Sequence, residues 1–214
     1  MIKSYKHLKW ISEKDAGSVF ALNKGLALVS GDIFGWLNLD ESYFPDVLHT
    51  VDKYFNDNPS WDVIYGASQF VDVNDNIIGY RKSVPFNLQR LIMGFNLLAA
   101  PSSVFVRCSA LKEIGFRVDE TLLHTYDLDL WIRLGKSHHI QNVPDCFSNF
   151  GIHQDGGVAS NPMAAIREVA SVRRKHRNNL NFVYKVFGAA YSYIYRFVYL
   201  KLKWNKMIEK SKKE

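Results

Sequence analysis

The sequence predicts a mixed α/β domain. Short β-branched and aromatic runs alternate with stretches whose apolar residues recur every three to four positions, and turn-forming residues fall between them. The 214 residues, 47% of them apolar, are enough for one good core. An acidic cluster closes the first strand-like run, where open α/β sheets bind ligands.

In chain order, residues 17–30 read as a helix, with Phe20, Ala21, Leu26 and Leu28 apolar and Gly31 as its stop. Residues 33–39 read as a buried strand, because Ile33-Phe34-Gly35-Trp36-Leu37 is short, aromatic and bounded by turn signals. From about Pro45 to Phe55, Val47, Leu48, Val51 and Tyr54 form the apolar stripe of a second helix. Residues 63–71 are a strand, and Asn74-Asp75-Asn76 turns the chain into a hairpin partner at 77–81. A short helix is expected over 87–93, a strand over 103–107, and a helix over 110–114 ended by Gly115. Residues 128–134 are helical, with Asp129 and Arg133 spaced as an i,i+4 pair. The last strands fall at 140–143 and 147–152, and Asn161-Pro162 opens another helix with a cap and a first-turn proline. There is no internal repeat or low-complexity tract.

The cluster that ends the first strand is Trp36-Leu37-Asn38-Leu39-Asp40-Glu41. Asn38, Asp40 and Glu41 are hard oxygen donors suited to Mg²⁺ or Mn²⁺, ions that usually hold phosphates. On their own, the six residues suit a solvated acidic loop equally well.

Their surroundings decide. Ser12-Glu13-Lys14-Asp15-Ala16-Gly17, Ala21-Leu22-Asn23-Lys24-Gly25, Gly31-Asp32 and Asn38-Leu39-Asp40-Glu41 follow one another in that order. Pro101-Ser102-Ser103-Val104-Phe105-Val106-Arg107 and Ile114-Gly115-Phe116-Arg117-Val118-Asp119-Glu120 come next, then Tyr126-Asp127-Leu128-Asp129-Leu130-Trp131-Ile132-Arg133-Leu134. Together these blocks resemble a family 2 glycosyltransferase of the GT-A fold, with its "S-E-x-D-x-G", "A-x-N-x-G", "N-x-D-D" and "E-D-x-D-L-W-x-R-L" motifs. The resemblance runs from Trp10 to Ser160, and ordered blocks are far more specific than any one motif. It implies a GT-A-like, Rossmann-related mixed sheet flanked by helices over residues 1–160, followed by a C-terminal helical segment over 161–214.

The implied chemistry is inverting transfer of a sugar from a nucleotide-diphosphate donor to the hydroxyl of a glycan or lipid-linked acceptor, as in polysaccharide or cell-surface glycan synthesis. Asp40 and Glu41, with Asn38, are then the candidate ligands of a divalent cation that neutralises the leaving diphosphate. The family usually carries Asp where this chain has Glu41. Asp127 matches the general base that takes the acceptor proton; helix N-terminal charge compensation is its other reading. Asp129 reads as structural through Arg133. His153 falls where relatives have "F-R-x-H" near the diphosphate, with Gly151 in place of the Arg, and an ordinary hydrogen-bonded histidine is the alternative. Asn23 and Lys24 are placed to reach the donor from the first helix, although Lys24 suits a solvated face equally.

Family members carry two βα units before the Trp10 block, and here only nine residues precede it. A βαβ unit needs about 30 residues, so the resemblance implies an N-terminally truncated domain. A shortened product, a split enzyme completed by a second chain, and an inactive relative acting as a binding module are the three expectations.

Charge is uneven. From Arg167 onward there are 13 Lys/Arg against 3 acidic residues, whereas the preceding 166 residues carry 14 against 18. The basic tail interleaves Phe182, Tyr184, Phe187, Tyr191, Tyr193, Tyr195, Phe197, Tyr199 and Trp204. A basic, aromatic helix in the headgroup region of an anionic membrane explains this pattern, as does an amphipathic helix docked on protein. Nothing else resembles a nucleic-acid module. Cys108 and Cys146 fit neither a metal nor a disulfide framework and suit a reducing cytoplasm. Met1–His7 has no apolar signal-peptide core, and no charge-free apolar window is long enough to span a membrane. The expected location is the cytoplasm, peripheral to the inner membrane face.

Overall fold

In the computed structural model, residues 9–94, 100–152 and 161–180 are described. Helix α1 spans Ser18–Leu28 and buries Val19 and Leu26. Strand β1 is Ile33–Gly35 and β2 is Ser42–Tyr43. Helix α2, Val47–Asp57, buries Val47, Val51 and Phe55, one residue per turn along a single face. The hairpin of β3 (Val63–Val71) and β4 (Ile77–Arg81) follows, then α3 (Leu88–Met93). A 3₁₀ turn at Pro101–Ser103 leads into β5 (Val104–Arg107) and α4 (Cys108–Glu113). Helix α5 is Tyr126–Gly135, β6 is Ile140–Gly151, and α6 is Pro162–His176.

The six strands form one mixed sheet in the order β1-β5-β3-β6-β2, with β4 paired to β3 beyond the end of β5. Only β3 and β6 run parallel to each other as neighbours. Because β1 and β3 are both antiparallel to β5, the carboxyl ends of β1, β3 and β6 lie at the same edge of the sheet.

Alternation along the central strands feeds two cores. Val63, Tyr65, Val104 and Val106 face α1, α3, α4, α5 and α6. Ile64, Phe105, Val143 and Phe147 face α2. Covering on both faces explains why β3 reads as a nearly continuous apolar run. Ala165, Val172 and Leu180 are buried as well, so residues 161–180 pack as part of the same body.

Two elements differ from the sequence reading. The strand expected over 33–39 stops at Gly35: the Gly35–Phe105 pair is the last rung, and β5 extends only one residue beyond it, to Val104. The two strands expected at 140–143 and 147–152 are one strand, whose register against β3 shifts on either side of Ala67. The extra residues around Pro144, which has no N–H to give a ladder, are absorbed as a bulge. Gly66 is what lets the bulge close: a Cβ there would lie 2.5 Å from the Asp145 carbonyl oxygen and 2.7 Å from the Phe147 ring. Gly66→Ala is therefore expected to cost about 1–3 kcal/mol, read as a lower urea midpoint; an unchanged midpoint would mean that the bulge yields freely.

Turn and cap chemistry follows the sequence more closely. Asp72 Oδ1 accepts the N–H groups of Asn74 (2.8 Å) and Asn76 (2.9 Å) in the hairpin turn. Asn87 caps α3 by accepting from the Arg90 N–H at 2.9 Å, and Gly94 ends that helix in the left-handed region. Asn161 caps α6 at the Ala164 N–H, 3.2 Å away, with Pro162 as its first residue. The basic aromatic tail beyond residue 180 lies outside the described residues.

Candidate active site

Where the chain leaves β1, Trp36 turns inward and its ring stacks on Tyr126 at the start of α5, with centroids 5.6 Å apart. Its indole N–H donates to Asn38 Oδ1 at 3.1 Å. The loop then closes on itself: Glu41 N–H donates to the Asn38 carbonyl (3.2 Å), and Asn38 N–H donates to Glu41 Oε2 (3.0 Å). Glu41 is thus turned inward, 9% exposed, while Asn38, Leu39 and Asp40 remain on the surface. Burial pushes the Glu41 carboxyl up, the Asn38 N–H and the Ser102 hydroxyl pull it back, and the neighbouring Asp40 charge adds to the rise. Of the two acidic residues predicted as cation ligands, Asp40 presents an exposed carboxylate and Glu41 braces the loop behind it.

Beneath this loop lies a buried hydroxyl network that the sequence reading missed. Ser68 on β3 donates to Ser103 (3.0 Å), and Ser148 on β6 meets both Ser103 (2.6 Å) and Ser102 (2.9 Å). Ser103 also donates to the Ala67 carbonyl at 2.9 Å. None of the four serines is exposed. Each hydroxyl is satisfied, which is the condition for keeping polar groups buried. The network fastens the 3₁₀ turn to two strands and, through Ser102, to Glu41.

Asp127 sits in the first turn of α5. Burial pushes its carboxyl up to about 6, against the pull of the Leu128 and Asp127 N–H groups and the charge of Arg81. Arg81, at the end of β4, lies 5.3 Å from the centre of the Phe70 ring. No motif marks Arg81, and only the hairpin brings it to Asp127. The Tyr126 phenol is raised by burial and by the charges of both Asp127 and Glu41, while its contact with Ser18, 3.3 Å away, works the other way. Tyr43 is pushed up to about 12 by burial and the Glu41 charge. The acidic loop and the α5 carboxylate therefore act on one aromatic group at the carboxyl edge of the sheet.

The remaining predicted residues lie elsewhere or are already engaged. Asn23 holds α1 to the segment before α5: its Nδ2 donates to the Val118 carbonyl (3.1 Å) and Glu120 Oε1 (2.8 Å), and its Oδ1 accepts from the Val118 N–H (2.9 Å). Lys24 is ion-paired with Glu13 and Asp15, which draws those two motif carboxylates onto α1. Asp129 pairs with Arg133 at 2.9 Å, as its spacing predicted, and also meets Lys175 and His176 of α6. His153 lies outside the described residues.

Among the described residues, no three His, Cys, Asp or Glu side chains cluster as a metal cage. The exposed Asp40 carboxylate is a donor that suits a Mg²⁺-like ion keeping most of its shell for water and substrate phosphates. No helix among the described residues is long and apolar enough to cross a membrane.

No family model matches the chain. Three curated relatives share its sequence in part, each an uncharacterised glycosyltransferase. The one from Rickettsia conorii is 29% identical over 140 residues, covering 59% of this chain and 22% of the relative. A second, from Rickettsia typhi, is 30% identical over 134 residues, covering 56% and 40%. A third, from Methanocaldococcus jannaschii, is 27% identical over 124 residues, covering 57% and 42%. The chain thus spans well under half the length of each.

Among solved structures, S. aureus TarS 1–349 in complex with UDP-GlcNAc matches with a TM-score of 0.60 at 14% identity, over 89% of this chain and 56% of that one. A longer TarS structure matches at 0.57 and 16% identity, over 82% and 30%. At these identities the likeness is one of fold. The mixed sheet flanked by helices is a glycosyltransferase-like architecture.

Proposed function

We propose that this chain carries the catalytic carboxylates of a glycosyltransferase that moves a sugar, with inversion, from a nucleotide-diphosphate donor to an acceptor hydroxyl. The observation that carries the reading is the pairing of an exposed Asp40 loop with a half-buried Asp127 at one sheet edge, on a fold similar to that of a UDP-GlcNAc-binding glycosyltransferase.

Asp127 is the general base. The acceptor oxygen bonds to the anomeric carbon, the bond from that carbon to the diphosphate oxygen breaks, and the acceptor proton passes to the Asp127 carboxylate. Arg81 and the first-turn N–H groups favour the charged form of that carboxylate, and Trp36 packed on Tyr126 keeps the start of α5 against the donor loop. Asp40, with the Asn38 amide oxygen, would hold Mg²⁺ or Mn²⁺, which when bound neutralises the leaving diphosphate. Glu41 and the serine network fix that loop. Asn23 and Lys24 support the site by fixing α1, and His153 is the candidate phosphate contact. The acceptor is a glycan or lipid-linked hydroxyl, consistent with a role in cell-surface polysaccharide synthesis at the cytoplasmic membrane face.

The test is calorimetric titration of UDP into the chain with and without Mn²⁺. Mn²⁺-dependent binding is expected, and Asp40→Ala is expected to weaken it on the order of tenfold or more while leaving the melting temperature nearly unchanged, because Asp40 is exposed. Binding that ignores both Mn²⁺ and Asp40→Ala would overturn the assignment of the donor site.

A further inference from the structure

An aromatic pair stands at the carboxyl ends of β3 and β6. Phe70 and Phe150 are register partners, each one residue from the end of its strand. Their rings meet edge to face, with centroids 5.9 Å apart and planes at 68°. Both residues are half-buried, so part of the pair faces solvent. Gly79 continues the row on β4, opposite Phe70, and a Cβ there would come 3.1 Å from the Phe70 ring. The glycine leaves that ring room beside β4, where the Arg81 guanidinium carbon lies 5.3 Å from its centre. Pairing fixes which face the rings share, because residues two apart on a strand and residues directly opposite each other lie on one side of the sheet. Phe70 and Phe150 therefore stand on the face of Ser68 and Ser148, one step nearer the edge than the buried hydroxyl network. Gln69, Asn149 and Tyr80 belong to the opposite face: Gln69 donates to Asn149 at 3.0 Å, and Tyr80 is the register partner of Gln69.

The two halves of the proposed reaction flank this pair. On one side Ser42 of β2 pairs with Asn149, so the Asp40–Glu41 loop enters the sheet beside Phe150. On the other side Arg81 packs on Phe70, and its charge acts on Asp127. What must lie between a diphosphate site and an acceptor base is sugar. Half-exposed aromatic rings are poor contacts for phosphate and good ones for the C–H face of a pyranose, whose hydroxyls stay at its rim. We propose that Phe70 and Phe150 form a stacking shelf for the terminal pyranose of the acceptor, so that the group receiving the transfer is itself a sugar. The direction, donor at Asp40 and acceptor at Asp127, rests on the function proposed above; the shelf itself rests on the sheet register.

The experiment is saturation-transfer NMR on the full chain, with methyl β-D-glucopyranoside and methyl β-D-galactopyranoside as probes. Transfer to the ring C–H protons of at least one probe is expected, strongest on one face of the sugar. Phe70→Leu and Phe150→Leu keep apolar bulk and remove the flat ring, and each is expected to weaken binding about threefold to tenfold, the worth of one aromatic contact. Phe70→Trp restores a flat ring and should bind as the wild type does, which a merely structural role for Phe70 does not predict. Tyr80→Leu removes an exposed aromatic from the opposite face and should leave binding unchanged. No transfer to either probe, or an equal loss in Tyr80→Leu and Phe70→Leu, would overturn the inference. Displacement of the probe by UDP-GlcNAc would give the shelf to the donor's sugar and overturn it as well. If Asp127→Asn keeps full transfer activity, the reading of Asp127 as base fails, while the glycoside titration still decides whether the shelf binds sugar.

Discussion

Asp127→Asn is expected to abolish sugar transfer while raising the stability of the fold. The amide cannot take a proton from the acceptor, and general-base catalysis contributes about a hundredfold to ten-thousandfold. Stability moves the other way because burial makes the charged carboxylate costly: its proton affinity is pushed up to about 6, against an ordinary value of 3.8. The native state thus binds this proton more tightly than the unfolded chain. The stability linked to the group is fully present below the ordinary value and is lost as pH rises through about 6. A gap of this size corresponds to about 1–3 kcal/mol at neutral pH. Wild type and variant should therefore melt at similar temperatures near pH 3.5, and the variant several degrees higher near pH 8. Transfer by the wild type should fall as pH drops below about 6, where the base is protonated. A variant that is inactive but also less stable at pH 8 would place Asp127 among structural carboxylates. One that retains activity would remove it from the chemistry.

Much of the fold is legible in the sequence because its signals are local. The β3 strand, the turn at Asn74-Asp75-Asn76 and the Asn161 cap each depend on a few adjacent residues, and the structure places them where those residues predict. The departures are those set by a distant partner. Trp36-Leu37 is as strand-like as Ile33-Phe34, but the register would carry Leu37 past the start of β5 and onto the 3₁₀ turn, while Trp36 turns inward to stack on Tyr126. Pro144 reads as a break, yet the chain resumes its pairing with β3 because Gly66 leaves room for the bulge.

The site divides in the same way. Asp40 and Asp127 stand inside recognisable motifs. Arg81 and Phe70 do not: they sit on the two strands of an ordinary hairpin, and only tertiary packing brings either to the site. Glu41 shows why a motif residue can change its role. The Asn38 N–H and Ser102, neither evident from a run of acidic residues, draw its carboxylate inward.

The largest stability loss is expected at Asp129. Its carboxylate, 1% exposed, accepts from Arg133 Nε (2.9 Å), Lys175 Nζ (3.1 Å) and His176 Nε2 (2.9 Å), so one buried anion joins α5 to α6. His176 passes the contact on, since its Nδ1 lies 2.8 Å from Lys136 Nζ. Burial alone would raise the Asp129 carboxyl, but His176, Lys175 and Arg133 outweigh it and hold it below the usual carboxylate range. Asp129→Asn keeps the shape and removes the charge, leaving three donors around a neutral amide. Breaking a buried ionic hub of this kind costs about 3–5 kcal/mol, a large fraction of the stability of an ordinary domain. Here the native carboxylate holds its charge more tightly than the unfolded one. Its contribution is therefore fully present above the ordinary carboxylate range and drains away as pH falls below it. Urea denaturation at neutral pH should show the variant far below the wild type, with the two curves converging towards acid pH. A gap that stays constant down to acid pH would mean that Asp129 stabilises the helix pair through packing, not through its charge.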